Sequence, residues 1–229
     1  MSDAQRDAGV AIQITVDGLP MEVFRASGSL LDALRGSAVE VPSLCFHPAL
    51  GGDGRCGLCV VEVLSGDGWQ PRLACQTSAE EGMVVRTNTP RVRHLRAHSA
   101  SLLLDRGPFR TDAAGEVLRR CVAGDPSPSA WIAARGMDAD GDGRAAVGGV
   151  AAGGVIAGCI LCGLCVRACA RTGKGLLTLL GRGYGTRVGM VTRDAAGMTC
   201  GSCRACQRVC PTGFINPDAE HTFTKGLYG

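Results

Sequence analysis

Two runs of cysteine share one spacing. CILCGLCVRACA and CGSCRACQRVCP both read C-x2-C-x2-C-x3-C, with cysteines at 159, 162, 165 and 169 and again at 200, 203, 206 and 210. The second run starts 41 residues after the first (200 minus 159), so the segment is an internal repeat. Three thiolates on one tight loop can each reach a different iron of one [4Fe–4S] cubane. The fourth sits on the helix that follows, faces away from that cube and serves the other one. The crossed assignment is Cys159, Cys162, Cys165 and Cys210 for the first cubane. The second takes Cys200, Cys203, Cys206 and Cys169. Gly163 and Gly201 allow the backbone to approach the sulfides closely. Pro211 completes the second run, while Ala170 stands at the matching place of the first. Structural zinc also uses C-x2-C pairs, but four ligands per zinc leave the triple spacing unexplained. A disulfide framework fits no better, because the three cysteines of each run lie too close together in a chain expected in a reducing compartment.

A third set is Cys45, Cys56, Cys59 and Cys75, spaced C-x10-C-x2-C-x15-C. Four thiolates on a loop and a following strand suit a [2Fe–2S] rhomb, with a longer first gap than the plant-type C-x4-C-x2-C pattern. Cys45-Phe46-His47 raises the alternative of a Rieske centre, which needs two His on one iron. No second His lies near these cysteines, and His47 reads as a loop residue beside the cluster. Twelve of the 13 cysteines are then assigned, and Cys121 is left as a partly buried free thiol. Twelve thiolates and three oxidised cores of about +2 add about −6. The formal charge of +3 becomes about −3.

The other motifs carry less. Asp138-x-Asp140-x-Asp142-Gly143 opens like a calcium loop, but its twelfth position is Gly149 where a bidentate Glu is required, so it reads as a solvated loop. Gly181-x-Gly183-x-Gly185 follows no suitable strand and has no acidic partner for a dinucleotide. No Ser/His/Asp or Cys/His arrangement is needed to account for any residue. The chain carries electron carriers and no evident catalytic site of its own.

The elements that must hold these cysteines make an α+β chain of four zones. Residues 1–89 read as a β-grasp domain. AIQITV (Ala11–Val16) alternates like a half-buried strand, Asp17-Gly18 turns, and Pro20 to Phe24 returns. Ser29 caps a short helix from Leu30 to Leu34, stopped by Gly36. Val60 to Leu64 and Gln70 to Ala74 pair across the turn Ser65–Gly68, and Met83 to Thr87 is the last strand. Residues 90–135 read as helical. RVRHLRAHSASLLL is expected to turn Val92, Leu95, Leu102 and Leu103 inward and Arg91, Arg93 and Arg96 outward. Residues 136–158 form a Gly/Ala-rich connector, and residues 159–229 hold the cysteine repeat.

Composition excludes several classes. With 34 Gly and only nine aromatic residues (five Phe, two Trp, two Tyr), the core is thin and needs a staple. A charge of +3 excludes a strongly basic nucleic-acid binder. MSDAQRDAGV has no apolar run and does not read as a secretory signal, so the expected compartment is a reducing cytoplasm. Ala145 to Val166 has 22 residues without a charge, but six are Gly and three are Cys, too weakly apolar for a membrane span.

The loop that starts CFHP and ends RCGLC resembles the [2Fe–2S] domain of the large iron–sulfur subunit of respiratory complex I and its relatives. Those relatives include the small diaphorase subunit of soluble NAD-reducing [NiFe] hydrogenases and the N-terminal part of NAD-dependent formate dehydrogenases. The segment from CILCGLCVRAC through GRGYGTRV to CGSCRACQRVCPTG resembles the double-cubane domain of the same group. The group has a middle domain with H-x3-C-x2-C-x5-C for a His-ligated cubane. Here residues 90–125 offer only His94, His98 and Cys121, so that cluster is expected to be absent.

The resemblance implies an electron-transfer subunit with one [2Fe–2S] and two [4Fe–4S] clusters. It would relay electrons between a flavin subunit that binds NAD(H) and a catalytic subunit of hydrogenase type. The same role in a formate dehydrogenase is the alternative. The iron–sulfur subunit of a succinate- or fumarate-type reductase has a shorter first gap than Cys45-x10-Cys56, and a stand-alone ferredoxin or redox sensor fits neither the size nor the three clusters.

Overall fold

A computed structural model describes residues 11–24, 28–125, 158–191 and 203–215. Its first part is a mixed five-stranded sheet. Strand β1 (Ala11–Val16) buries alternate side chains, with Ile12, Ile14 and Val16 at 5% exposure or less. The turn Asp17-Gly18, with φ of 52° and 87°, returns the chain as β2 (Leu19–Phe24). Positive φ at both positions matches the twist of a tight hairpin. Helix α1 (Leu30–Gly36) begins where Ser29 Oγ accepts a hydrogen bond from Asp32 N at 3.2 Å. It lays Leu30, Leu31 and Leu34, all 0% exposed, into the sheet's core. Strands β3 (Val60–Ser65) and β4 (Gly68–Leu73) form the second hairpin, and β5 (Val84–Arg86) runs between the two.

The strand order is β2-β1-β5-β3-β4, with β5 parallel to β1 and antiparallel to β3. This is the β-grasp arrangement expected from the order of elements. Pro71 is tolerated because β4 is an edge strand, where a missing N–H costs no ladder bond. Asp17 ties the first turn to the end of β5, accepting from Thr87 N at 2.7 Å.

Two helices follow. Helix α2 (Pro90–Leu104) is capped by Thr89, whose Oγ1 accepts from Val92 N at 3.1 Å, and Pro90 occupies the first turn where its missing N–H is harmless. Helix α3 is Asp112–Ala123. The expected inward face of α2 needs correction. Arg96 is only 9% exposed and donates from Nη2 to Val60 O at 2.8 Å, whereas Leu102 is 46% exposed. The buried stripe is Val92, Arg96, Ala97, Ala100, Ser101 and Leu103, which keeps a helical period but is phased on small residues. Small residues there let the helix approach the cysteine loop closely: a Cβ on Gly57 would stand 2.6 Å from Ser99 Oγ. Residues 126–135 of the expected helical zone, and the connector up to residue 157, lie outside the described residues.

The last part contains helix α4 (Leu164–Arg171), the hairpin of β6 (Leu177–Leu180) and β7 (Arg187–Met190), and helix α5 (Ala205–Arg208). It is bound to the middle helices by Arg106 Nε donating to Cys159 O at 2.7 Å and Thr111 Oγ1 donating to Pro211 O at 2.8 Å. One hydrophobic core joins all parts: Leu44 and Leu58 from the first, Ala100 and Leu118 from the helices, Ile160 and Leu164 from the last. Among the described residues no helix is long and apolar enough to cross a membrane.

Candidate iron–sulfur centres

The loop between α1 and β3 and the short turn after β4 bring Cys45, Cys56, Cys59 and Cys75 together. Their exposures are 0, 2, 0 and 5%. Gly57, at φ 69°, makes the bend between Cys56 and Cys59 that an L side chain would resist. Gly52 faces Cys75 so closely that a Cβ on it would lie 2.4 Å from Cys75 Cβ and 2.8 Å from Sγ. Backbone N–H groups point at the sulfurs: Cys56 N at 3.5 Å from Cys45 Sγ and Leu44 N at 3.4 Å from Cys56 Sγ. Gly54 N gives Cys75 a further donor.

The electrostatics follow from the crowding. Hydrogen bonds from Cys56, then Cys75, pull the Cys45 thiol far below its ordinary value, and one from Cys75 pulls Cys59 down. The donors of those bonds, Cys56 and Cys75, are pushed up in return. The four sulfurs crowd one another, so each thiol that donates is raised and each that accepts is lowered. A polynuclear cation held among them would deprotonate all four, since metal-bound thiols lose the proton outright. Buried thiols ringed by N–H donors are therefore the donor set a [2Fe–2S] group needs, and these residues fit it.

The first C-x2-C-x2-C run forms a second nest. Cys159, Cys162, Cys165 and, from the far end of the repeat, Cys210 line one pocket with about 290 Å³ of atom-free space, part of it open to solvent. The first three are 6–8% exposed, and burial pushes their thiols up, Cys162 to about 12. Backbone N–H groups of Leu161, Leu164 and Val166 serve Cys159, Cys162 and Cys165. Cys169 is not part of this pocket, and its Sγ accepts from Leu176 N at 3.2 Å. This donor set fits a [4Fe–4S] group in the same sense. In the second set, Cys203 is exposed and Cys206 and Cys169 are half-buried, while Cys200 and Gly201 lie outside the described residues.

Among the described residues no group of three or more His, Cys, Asp or Glu side chains is arranged to hold a single metal ion. A cluster makes a different demand, because its thiolates bind different irons and need not converge on one point.

The remaining candidates have ordinary partners. His47 Nδ1 accepts from Ala49 N at 3.1 Å within its own loop. His94 Nδ1 lies 3.0 Å from Asp125 Oδ2, bridging α2 to the end of α3. Cys121 is half-buried on α3, and burial raises its thiol. Two residues of consequence were not visible in the sequence. Gly52 carried only the weak signal of a Gly-rich stretch within the cysteine loop, and Arg167, which bridges the two nests, carried none.

Comparison with known proteins agrees with this geometry. Residues 9–90 match the family model of a 2Fe-2S iron-sulfur cluster binding domain, and residues 158–221 match that of a 4Fe-4S dicluster domain. The chain is 30% identical over 210 residues to the G 2 subunit of the NADH-quinone oxidoreductase of Rhizobium meliloti, covering 89% of this chain and 24% of that protein. It is 33% identical over 106 residues to the mitochondrial NADH-ubiquinone oxidoreductase 78 kDa subunit of Neurospora crassa, covering 46% of this chain and 14% of that one. The chain thus spans about a quarter or less of the length of these curated relatives. Among solved structures, it matches a chain of an NAD+-reducing [NiFe]-hydrogenase in the H2-reduced state at TM-score 0.61 and 25% identity, covering 89% of this chain and 86% of that one. A 2Fe-2S domain, central helices and a 4Fe-4S dicluster domain thus make this chain an α+β iron–sulfur protein homologous to the G and 75 kDa subunits of NADH oxidoreductases.

Proposed function

We propose that this chain is the electron-relay subunit of a soluble, cytoplasmic NAD-linked oxidoreductase of [NiFe] hydrogenase type. Its partners are a flavin subunit that binds NAD(H) and a hydrogenase catalytic subunit. The proposed ligands are Cys45, Cys56, Cys59 and Cys75 for one [2Fe–2S], and Cys159, Cys162, Cys165 and Cys210 for one [4Fe–4S]. Cys200, Cys203, Cys206 and Cys169 are proposed for the other. The proposed units are residues 1–89, 90–135, 136–158 and 159–229. Bound clusters supply one-electron acceptance and release. The residues of the chain exclude water from the thiolates, orient them and stabilise their charge with N–H donors.

The observation that carries the reading is that two buried thiol nests meet, Cys45 and Cys56 of one lying in the same hydrophobic cluster as Cys162 of the other. Two carriers that close are built to exchange electrons, and a storage or structural role would not require it. What supports a hydrogenase over a formate dehydrogenase is the likeness to the hydrogenase chain over 86% of that chain's length. Purification of the tagged chain from its source, with subunit identification and analysis for nickel, molybdenum and tungsten, tests the proposal. Nickel with a flavoprotein supports it. Molybdenum or tungsten moves the chain to the formate dehydrogenase alternative, and purification without any flavoprotein overturns both.

A further inference from the structure

Arg167, on α4, lies two residues after Cys165 and two before Cys169. Its Nη1 donates to Leu50 O at 3.1 Å and Gly51 O at 2.9 Å, and its Nη2 donates to Cys45 O at 2.7 Å. All three acceptors belong to the loop that begins with Cys45, more than 110 residues earlier in the chain. The remaining donor, Nε, is buried with no partner among the described residues.

We propose that Arg167 is the positioning residue between the [2Fe–2S] centre and the first cubane, fixing the two ligand loops against each other and holding a positive charge between the two clusters. The proposal rests on the ligand assignment given under Proposed function.

The geometry supplies two separate reasons. The first is rigidity. A guanidinium is a planar fork, so three hydrogen bonds to one loop fix that loop in position and in angle, which an ammonium on a flexible stem cannot do. Beside the Arg171 contact with Ala49 O, the rest of the contact packs Ile160, Cys162 and Leu164 against Leu44, Cys45 and Cys56, and such packing allows sliding where the fork does not. The second is charge. Each thiolate-bound cluster is anionic overall, and the two nests adjoin, since Cys45 and Cys162 lie in the same hydrophobic cluster. A fixed cation in this low-dielectric contact favours the reduced, more negative state of both clusters. The Nε–H has no acceptor among the described residues, and a buried N–H without one is costly. Arg171 makes a similar reach to Ala49 O from an exposed position and lacks the fork on Cys45.

The test compares Arg167→Met, Arg167→Lys and Arg171→Met in the full chain. Iron and sulfide analysis and the separate electron paramagnetic resonance signals of each cluster come first. If the wild-type chain lacks either cluster, the reading under Proposed function fails, independently of Arg167. With the clusters present, redox titration and the magnetic coupling between the two centres are the readouts. Arg167→Met is expected to make reduction of the [2Fe–2S] about tenfold less favourable at equilibrium, as loss of one nearby charge in a partly buried site implies, and to weaken the coupling. Arg167→Lys is expected to retain most of the reduction equilibrium but to lose the coupling, because charge survives and the fork does not. Arg171→Met is expected to change neither. If Arg167→Met fails to assemble, Arg167→Lys carries the test alone. Unchanged coupling in Arg167→Lys, or unchanged coupling and reduction equilibrium in an assembled Arg167→Met, overturns the proposal.

Discussion

Gly52→Ala removes no ligand and no hydrogen bond of the 2Fe-2S domain, yet it is expected to empty that centre. The added Cβ would stand 2.4 Å from Cys75 Cβ and 2.8 Å from its Sγ, with Cys75 O at 3.3 Å. Ordinary van der Waals contact starts near 3.4 Å, so Cys75 must retreat by about 1 Å (3.4 minus 2.4). Cys75 sits in a short turn at 5% exposure and has little room to do so. Overpacking of this kind costs about 1–3 kcal/mol in a core that can adjust. A thiolate held at metal-bonding distance cannot adjust without stretching that bond, so the strain is expected to fall on the cluster rather than on the fold. The assay is iron and sulfide content with electron paramagnetic resonance of the reduced chain. The expected result is loss of about two irons per chain and of the [2Fe–2S] signal, with both cubane signals kept. Gly36→Ala is the control, because nothing lies within 4 Å of its Cβ position and its φ is not positive. A Gly52→Ala chain with a full, spectroscopically unaltered [2Fe–2S] would refute the reasoning and with it the assignment of Cys75 as a ligand.

Three further outcomes are expected. The assembled chain should carry about ten irons, two in the [2Fe–2S] and eight in two cubanes, and a count near fourteen would mean a fourth cluster in the middle helices. Cys169→Ser should damage the cubane of Cys203 and Cys206 and spare that of Cys159, Cys162 and Cys165, because Cys169 lies outside the pocket those three share with Cys210; loss of the other cubane's signal would reverse the crossed assignment. Ser29→Ala should cost about 1 kcal/mol in chemical denaturation, since the Ser29 hydroxyl is the cap of α1, and a change below about 0.3 kcal/mol would mean the cap is replaced by water without loss.

The sequence by itself determined the ligand sets proposed here, for a chemical reason. Iron–sulfur coordination depends on residue type and on short spacings, and both are written along the chain. The same locality made β1, its Asp17-Gly18 turn and the Ser29 cap legible, because alternation, positive φ and capping are decided within a few residues. The placement of Cys210 in the pocket of the first run accords with the crossed spacing, although Cys210 stands two residues past α5 rather than on a helix. Tertiary structure decided what depends on neighbours distant in sequence. Arg96 is buried and Leu102 exposed because α2 packs its alanines on β3 and the cysteine loop, and the period of the sequence fits either phase. Gly52 matters only because Cys75 arrives from beyond β4 to face it. Arg167 reads as an exposed helix arginine until α4 docks on the Cys45 loop and supplies three carbonyls to its guanidinium. Composition fixes which groups can bind iron, and only packing fixes how far apart the iron centres stand.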